Sequence, residues 1–422
     1  MRWARSAYCL SVYVSLCGCA GSAARARIAS DVARGDFQSA YSGYAQQPSS
    51  TLLRALSEGV LLHGARSSDL AQRRAAFIEL SLLGTRAGEL LEELSQSGEP
   101  ARTRAGALRL RTQLGDDAAR RELRDMLGHP DPEVGDSATR ALAPDRDRAQ
   151  LEAALRSPRP ERRGEALAVL GRVAREHQAA LIEASRFDPI PQLRVSALHA
   201  LESCGAEVSA ALERASDDPD PRVRAAALSS LARVAPERAE PLLDRQLGAA
   251  ASEQSLSAAV ALLSMQPPRQ VARARAAIAN ALGSPDVTLR ARAATALRGM
   301  PETQLDLAAL RARLRKESVE TVRLALALRL GLQDSAAQRT LSELSSSFTL
   351  PGAEATAELA AHSGTARARL SAFAAHDSAL VRAAVARLMG SALRDPEPIA
   401  KLLADKSWQV RGAAAGAVLN VM

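Results

Sequence analysis

A short segment of the 422-residue chain returns many times, and this repetition constrains the fold more than any other feature. Its clearest copy is DDPDPRVRAAALSSL at residues 217–231, a turn with two prolines, then an arginine and small apolar residues. Aligned on that arginine, most copies follow one another at spacings of 28 to 33 residues, with two longer gaps of 66 and 59 residues. Each long gap predicts one degenerate copy, near Ser255 and near Glu354. Self-similarity at this period is typical of a solenoid of stacked units.

The ten clear copies share an anchor position, which is an arginine in nine of them. The anchors are Arg73, Arg104, Arg163, Arg194, Arg224, Arg290, Arg323, Arg382 and Arg411, with Gly135 at the tenth position. Small or apolar residues three, four and seven places later lie on one face of a helix. In the turn before the anchor, Asp220 can cap that helix and Pro221 fits its first turn. An apolar segment precedes each turn, so each unit is predicted to be helix, turn and helix.

The anchor arginine is predicted to be a structural residue. It lies on the apolar face near a helix N-terminus, where the helix dipole opposes a positive charge. We therefore expect it to bond a turn carbonyl or an acidic side chain such as Asp188, Asp218 or Asp405, including one in the next repeat. This interpretation is favoured over a ligand-binding role.

The segments DPDPRVRAAALSSL, DVTLRARAATALRG and DKSWQVRGAAAGAVL resemble HEAT repeats, of the short kind named after phycobilisome lyases. The resemblance implies an all-α, right-handed α-solenoid of about twelve helical hairpins. Because second helices line the concave face of such arrays, it also implies a groove, and ordinary solvated residues are the alternative for each position. The candidate groove residues are Glu165, Arg172, His199, Arg233, Arg292 and Arg329. The family includes scaffolds, adaptors and a few enzymes.

The chain opens MRWARSAYCLSVYVSLCGCAG, which predicts an export signal. Arg2 and Arg5 precede an apolar stretch that is too short to span a bilayer as a mature helix. The LCGC at its end resembles a bacterial lipoprotein signal, which implies removal of residues 1–18 and lipidation of Cys19. Cys17 departs from the residues usual at its place. Ordinary cleavage near GSAARA, or a short buried helix, is the alternative.

The predicted organisation has four parts: a signal peptide at 1–18, a lipidated tether at 19–30, a helical cap at 31–66 and a HEAT-like solenoid at 67–422. Phe37, Tyr41 and Tyr44 are expected in the core of the cap. Ala20 favours the outer membrane over the inner one, so the predicted location is lipid-anchored in the bacterial cell envelope and facing the periplasm. Leu419 and Met422 either leave an apolar end open for docking or pack onto the last unit.

The sequence lacks the patterns that carry common chemistries. The six histidines do not pair at metal-ligand spacing, and no CxxC, GK[ST] or GxSxG occurs, so no metal or cofactor is predicted. After processing, Cys204 would be the only thiol, which excludes an internal disulfide. His199 lies one turn before Cys204 and could activate it, but a lone cysteine of this kind is typically a small buried apolar residue. Aromatic content of 3% disfavours a nucleic-acid surface.

The sequence therefore predicts a non-enzymatic scaffold or adaptor lipoprotein of the cell envelope, with a protein or peptide partner and no nucleic acid. A mixed, arginine-leaning groove would suit an acidic peptide or polymer. One alternative is an enzyme or enzyme-accessory protein of the HEAT-like lyase type. Another is a cytoplasmic HEAT-repeat scaffold, if the signal-peptide interpretation is wrong.

Overall fold

The computed structural model describes residues 22–248 and 250–422, so the predicted signal peptide and the lipidation position Cys19 lie outside the described residues. The described residues contain α-helices and short 3-10 helices and no strand, which confirms the predicted all-α fold. They divide into two compact units. Unit 1 combines residues 22–116 with Leu344–Met422, and unit 2 contains Asp117–Glu343.

Unit 1 is built from helices at both ends of the described chain. The helices before unit 2 are α1 (22–33), α2 (Phe37–Gln46), α3 (Ser50–Ala65), α4 (Leu70–Leu83), α5 (Gly88–Leu94) and α6 (Ala101–Gln113).

Unit 2 begins with α7 (Asp117–Asp125), α8 (Pro132–Ala138), α9 (Arg148–Leu155), α10 (Pro160–Leu170), α11 (Gln178–Phe187), α12 (Pro191–Leu201), α13 (Ser209–Ala215) and α14 (Pro221–Val234). It continues with α15 (Pro236–Gln246), α16 (Glu253–Ser264), α17 (Val271–Leu282), α18 (Val287–Ala296), α19 (Leu307–Lys316), α20 (Glu320–Leu330) and α21 (Ser335–Leu344), which ends at the boundary.

The second part of unit 1 contains α22 (Leu350–Ala360), α23 (Gly364–Ala372), α24 (Ala379–Leu393), α25 (Glu397–Ala400) and α26 (Trp408–Val421). Short 3-10 helices extend or join the α-helices at Gly84–Ala87, Thr139–Ala141, Gly171–His177, Glu202–Val208, Leu297–Gly299, Glu302–Gln304, Phe373–Ala375 and Lys401–Ala404.

The helices pack as successive hairpins, and the second helix of one hairpin packs against the second helix of the next. In unit 2 this gives the series α10, α12, α14 and α16, and in unit 1 the series α22, α24 and α26. The two degenerate copies predicted near Ser255 and Glu354 correspond to α16 and α22, each in the place of a second helix. The repeating unit of helix, turn and helix is therefore the building unit of both parts of the chain.

Capping residues explain where the second helices begin. Asp220 accepts a 2.8 Å hydrogen bond from the backbone N–H of Arg222, and Pro221 is the first helical residue. Asp286 caps α18 in the same way through Thr288. Because proline lacks a backbone donor, it loses nothing in the first turn and prevents the first helix from continuing through the turn.

The core of unit 1 draws on both of its sequence segments. Tyr44 is 2% exposed and Phe37 is 9% exposed, and both join a buried cluster that includes Val418 and Leu419 of α26. Tyr41 is partly buried against this cluster. Leu419 is thus covered by packing within unit 1. Among the described residues, no helix has the length and apolar character needed to cross a membrane.

Candidate functional site

The anchor arginines form one contact pattern, shown by Arg163. It is the fourth residue of α10, and side chains near the start of a helix point back toward its N-terminus. Its Nη1 donates to the carbonyl of Ser157 at 2.9 Å, in the turn before the helix. Its Nε and Nη2 donate to the two carboxylate oxygens of Asp188 at 2.7 and 3.1 Å. Asp188 belongs to the turn of the next hairpin, so the arginine ties its own turn to the following one.

Three more anchors repeat this arrangement with an acid 23 to 27 residues later. The distances from Nε and Nη2 to the carboxylate are 2.9 and 2.8 Å for Arg194–Asp218, 3.0 and 3.3 Å for Arg290–Glu317, and 2.7 and 2.9 Å for Arg382–Asp405. Each Nη1 also donates to a carbonyl of its own turn, at 2.7 to 2.8 Å. We call these four arginine–acid pairs the ladder.

The other anchors keep part of the pattern. Turn carbonyls six residues earlier accept from the Nη1 groups of Arg73 (2.7 Å), Arg224 (2.8 Å) and Arg411 (2.8 Å). Arg323 pairs with Glu343, and Arg104 lies partly buried in α6.

In the copy with glycine at the anchor, a neighbouring arginine fills the space. A Cβ at Gly135 would lie 2.5 Å from Nη2 of Arg162. Arg162 and Arg159 both bond the buried carboxylate of Asp136, at 3.2 and 2.7 Å. An arginine of the next hairpin, Arg162, thus occupies the space beside Gly135 where an anchor side chain would lie.

Two ladder acids, Asp405 and Glu317, are held in their charged form. Burial acts to raise the pKa of Asp405, but the hydrogen bonds from Arg382 and from the backbone N–H of Ser407 outweigh it and lower the pKa below its usual value. The pKa of Glu317 is lowered as well, because the N–H of Val319 and the guanidinium of Arg290 overcome the effect of burial. In both pairs, the groups that stabilise the buried charge belong to the chain itself.

The candidate groove residues mostly contact neighbouring repeats. Glu165 pairs with Arg140 at 2.6 Å, and Arg292 pairs with Glu253. Arg329 donates to the carbonyls of Leu297 and Met300, both at 2.8 Å. In each of these contacts the partner belongs to the preceding hairpin. The spacing of the repeats in the sequence does not show such contacts.

Two further candidates, Arg233 and His199, contact the same acid, Glu202. Glu202 accepts from Nε of Arg233 at 2.8 Å and lies 3.3 Å from Nδ1 of His199. Burial acts to raise the pKa of Glu202. The hydrogen bonds from Arg233 and Ser230 have the larger effect, so the pKa lies below its usual value. Arg172, the remaining candidate, is exposed.

A cleft of about 360 Å³ lies between the first helices α9 and α11 of two successive hairpins. Its apolar lining includes Leu155, Ala184 and Phe187, and its charged lining includes Arg156 and Glu183, which pair at 3.2 Å. The Phe187 ring is 65% exposed, and the guanidinium carbon of Arg186 lies 4.8 Å from its centroid. No pattern in the sequence predicts this cleft. Its only sequence signal is an aromatic residue directly before the Asp188–Pro189 turn.

The comparison with family models agrees with the repeat geometry over one segment of the chain. Residues 148–232, which contain this cleft, match the family model described as HEAT repeats. The recognition of HEAT repeats is confirmed for this segment. No curated protein matches the chain.

Forty-one chains of solved structures match the chain. One is the complex of CpcE and CpcF of phycocyanin lyase from Nostoc sp. PCC7120, at 19% sequence identity and a TM-score of 0.26. The alignment covers 71% of this chain and 95% of that chain. Similarity at this level carries no inference about activity.

Cys204 lies in the HEAT-repeat segment but is only 2% exposed. Burial raises the pKa of its thiol, and the nearby charge of Arg175 offsets this only in part. His199 directs its Nδ1 to Glu202, so the described contacts do not form a Cys–His pair. Over the two described ranges, no group of three or more His, Cys, Asp or Glu side chains is placed to hold a metal ion.

Proposed function

We propose that the chain is a non-enzymatic, protein-binding scaffold or adaptor of the bacterial cell envelope, tethered through lipid on Cys19. The observation that carries the binding role is the cleft beside Phe187. Exposed aromatic rings next to pockets are typical anchors of protein interfaces, because they bury a large apolar area at a low entropic cost. Repeat arrays present such surfaces without a catalytic centre.

The partner is proposed to be a protein or peptide that inserts an apolar side chain into this cleft. The apolar part of the lining can receive such a side chain, and charged lining residues already pair with each other, Arg156 with Glu183 and Arg163 with Asp188. Most candidate groove arginines are likewise held by acids or carbonyls of the chain itself. An acidic polymer would have to compete with these internal partners, whereas an apolar side chain would not.

The lyase-type enzyme remains the alternative, and it would need an accessible, activated nucleophile. Nucleophilic thiols are typically exposed and have a lowered pKa. Cys204 is buried and its pKa is raised, so it does not supply one. The scaffold proposal is therefore better supported by the side chains of the HEAT-repeat segment.

Binding at the cleft can be tested in cells with a photo-crosslinking amino acid in place of Phe187. We expect one defined adduct that mass spectrometry identifies as a single protein. The same amino acid in place of Leu82, which is 68% exposed and does not line this cleft, is the matched control. A second substitution, Ala184→Arg, would fill the cleft and should abolish the adduct. Equal crosslinking at both positions, or an adduct that survives Ala184→Arg, would overturn the binding role.

The envelope location rests on the LCGC sequence and is tested separately. Mass spectrometry of the protein from its native membranes should show loss of residues 1–18 and a lipid-sized mass on Cys19. Cys19→Ala should abolish the added mass. An intact, unmodified N-terminus would contradict the lipoprotein proposal and favour a cytoplasmic scaffold, without affecting the crosslinking result.

A further inference from the structure

Within unit 1, α26 packs against α3 and α4, although more than 300 residues separate them in sequence. The approach to α4 is close because α26 presents two glycines to Glu79. A Cβ at Gly416 would lie 2.7 Å from Oε2 of Glu79, and one at Gly412 would lie 4.0 Å from its Cγ. We call the contact of α2, α3 and α4 with α25, α26 and the 3-10 helix Lys401–Ala404 the end contact.

Polar groups join the two sides of the end contact. Nε2 of Gln38 donates to the carbonyl of Ala404 at 2.6 Å. The hydroxyl of Tyr44 donates to Glu397, and Nη1 of Arg86 lies 3.2 Å from the side-chain oxygen of Asn420.

Within the end contact, the Phe37 ring lies between two basic side chains. The guanidinium carbon of Arg411, from α26, lies 4.1 Å from the ring centroid. The imidazole of His63, from α3, lies 5.2 Å from it, with the two rings nearly perpendicular. Elsewhere the ladder arginines face a carboxylate of the next turn, whereas the anchor Arg411 faces this aromatic ring. The face of the Phe37 ring stabilises one cation, the guanidinium of Arg411, through a cation–π interaction.

His63 has no carboxylate among its described electrostatic neighbours. Burial is the main cause that lowers its pKa, and the positive charges of Arg411 on α26 and Arg66 just after α3 lower it further. The carbonyl of Val32, in α1, accepts a hydrogen bond from His63 and acts in the opposite direction. The imidazole is therefore neutral near pH 7, and protonation would place a second cation beside Arg411.

We propose that the end contact is a latch that acid loosens, in which protonation of His63 makes the separation of α26 from α2 and α3 more frequent. The closed latch binds the proton more weakly than an exposed histidine, whose pKa is about 6.5. Closure is therefore unaffected above about pH 6.5 and loses stability as the pH falls below that value. This inference does not depend on the proposed binding function.

Hydrogen exchange measured by mass spectrometry on the full chain tests the latch. Rates are corrected for the intrinsic pH dependence of exchange, and α14 in unit 2 serves as the internal reference. Between pH 7.5 and pH 5.5 we expect α26 and α3 to lose protection by up to about tenfold, the limit that an exposed histidine with a pKa of about 6.5 sets at pH 5.5, while α14 does not change. Unchanged protection of α26 would overturn the proposal.

Two histidine variants separate the latch from general acid sensitivity. His63→Gln, which cannot be protonated, should keep α26 protected at pH 5.5. His362→Gln, at an exposed histidine, should open like the wild type. If His63→Gln loosens the contact already at pH 7.5, Arg411→Gln provides the second measurement. Removing that cation should reduce the loss of protection on acidification, and loss equal to the wild type in either variant would contradict the mechanism.

Discussion

Arg163 and Asp188 connect two successive hairpins of unit 2 through two hydrogen bonds, while only 7% and 4% of their side-chain surfaces remain exposed. Asp188 compensates the positive charge that Arg163 carries near the N-terminus of α10. Arg163 also donates a hydrogen bond to the carbonyl of Ser157 in the preceding turn. A buried charge that loses its partner is strongly destabilising, because its desolvation is no longer offset.

The first prediction concerns this rung of the ladder. Asp188→Ala leaves the Arg163 guanidinium buried without its carboxylate, and we expect a loss of about 3 kcal/mol in the free energy of unfolding. The measurement is urea denaturation followed by circular dichroism, with hydrogen exchange of α10 and α12 to locate the effect.

Glu183→Ala is the matched control for that rung. It removes the partner of Arg156 in a pair whose side chains are 61% and 53% exposed, so the expected loss is below about 1 kcal/mol. Equal losses in the two variants would show that burial does not increase the contribution of the Arg163–Asp188 pair to the free energy of unfolding.

The sequence predicted the hairpin period and three acids that pair with anchors, because proline–acid turns and apolar spacing are local features. It did not identify Glu317, which lies in KESVE and lacks the Asp–Pro pattern of the turns that contain Asp188 and Asp218. It named Arg233 and Arg292 as groove residues and did not predict that both pair with acids of earlier hairpins. Such pairs depend on how far each repeat is offset from the next, which periodicity does not specify.

The end contact could not be predicted for a related reason. Gly412 and Gly416 look like ordinary small residues of a repeat, and Glu79 looks like a solvated acid. Only the meeting of α26 with α4 places these glycines against Glu79 and buries Glu79 to 6% exposure. Contacts between segments this distant in sequence leave no mark on local patterns.

The second prediction concerns acid stability through Asp405. Its pKa is lowered in the folded protein, so the folded state binds a proton less readily than the unfolded state. The stabilisation is therefore complete above the unfolded value of about 3.9 and is lost as the pH falls through the lower folded value. Asp405→Asn should reduce stability clearly at pH 7, and the difference from wild type should shrink as the pH falls below about 4.

Denaturant titrations at several pH values provide that measurement. Asp145→Asn is the control, since the Asp145 side chain is 71% exposed and its contact with Arg146 is 3.7 Å long. A constant difference between wild type and Asp405→Asn down to pH 3 would argue against a charged Asp405 in the ladder.

The third prediction concerns the reactivity of Cys204. Because the thiol is buried and its pKa is raised, iodoacetamide at pH 7.5 should alkylate it at least about a hundredfold more slowly in the folded than in the urea-unfolded chain. Peptide mass spectrometry quantifies residue 204 separately from the other cysteines. Rapid alkylation of the folded chain would revive the nucleophile hypothesis and with it the enzyme alternative.

The fourth prediction compares two glycines in neighbouring helices of unit 1. A Cβ at Gly352 would lie 2.0 Å from the carbonyl oxygen of Ser347 and 2.9 Å from that of Leu344, both backbone atoms that cannot rotate away. Gly352→Ala should therefore cost about 2–3 kcal/mol, as overpacking typically does. At Gly364 no atom lies within 4 Å of the added Cβ, so Gly364→Ala should be neutral or stabilise by about 0.5 kcal/mol through the unfolded state. Thermal unfolding of both variants measures the contrast, and a neutral Gly352→Ala would mean that α22, the degenerate repeat, packs more loosely than the structure shows.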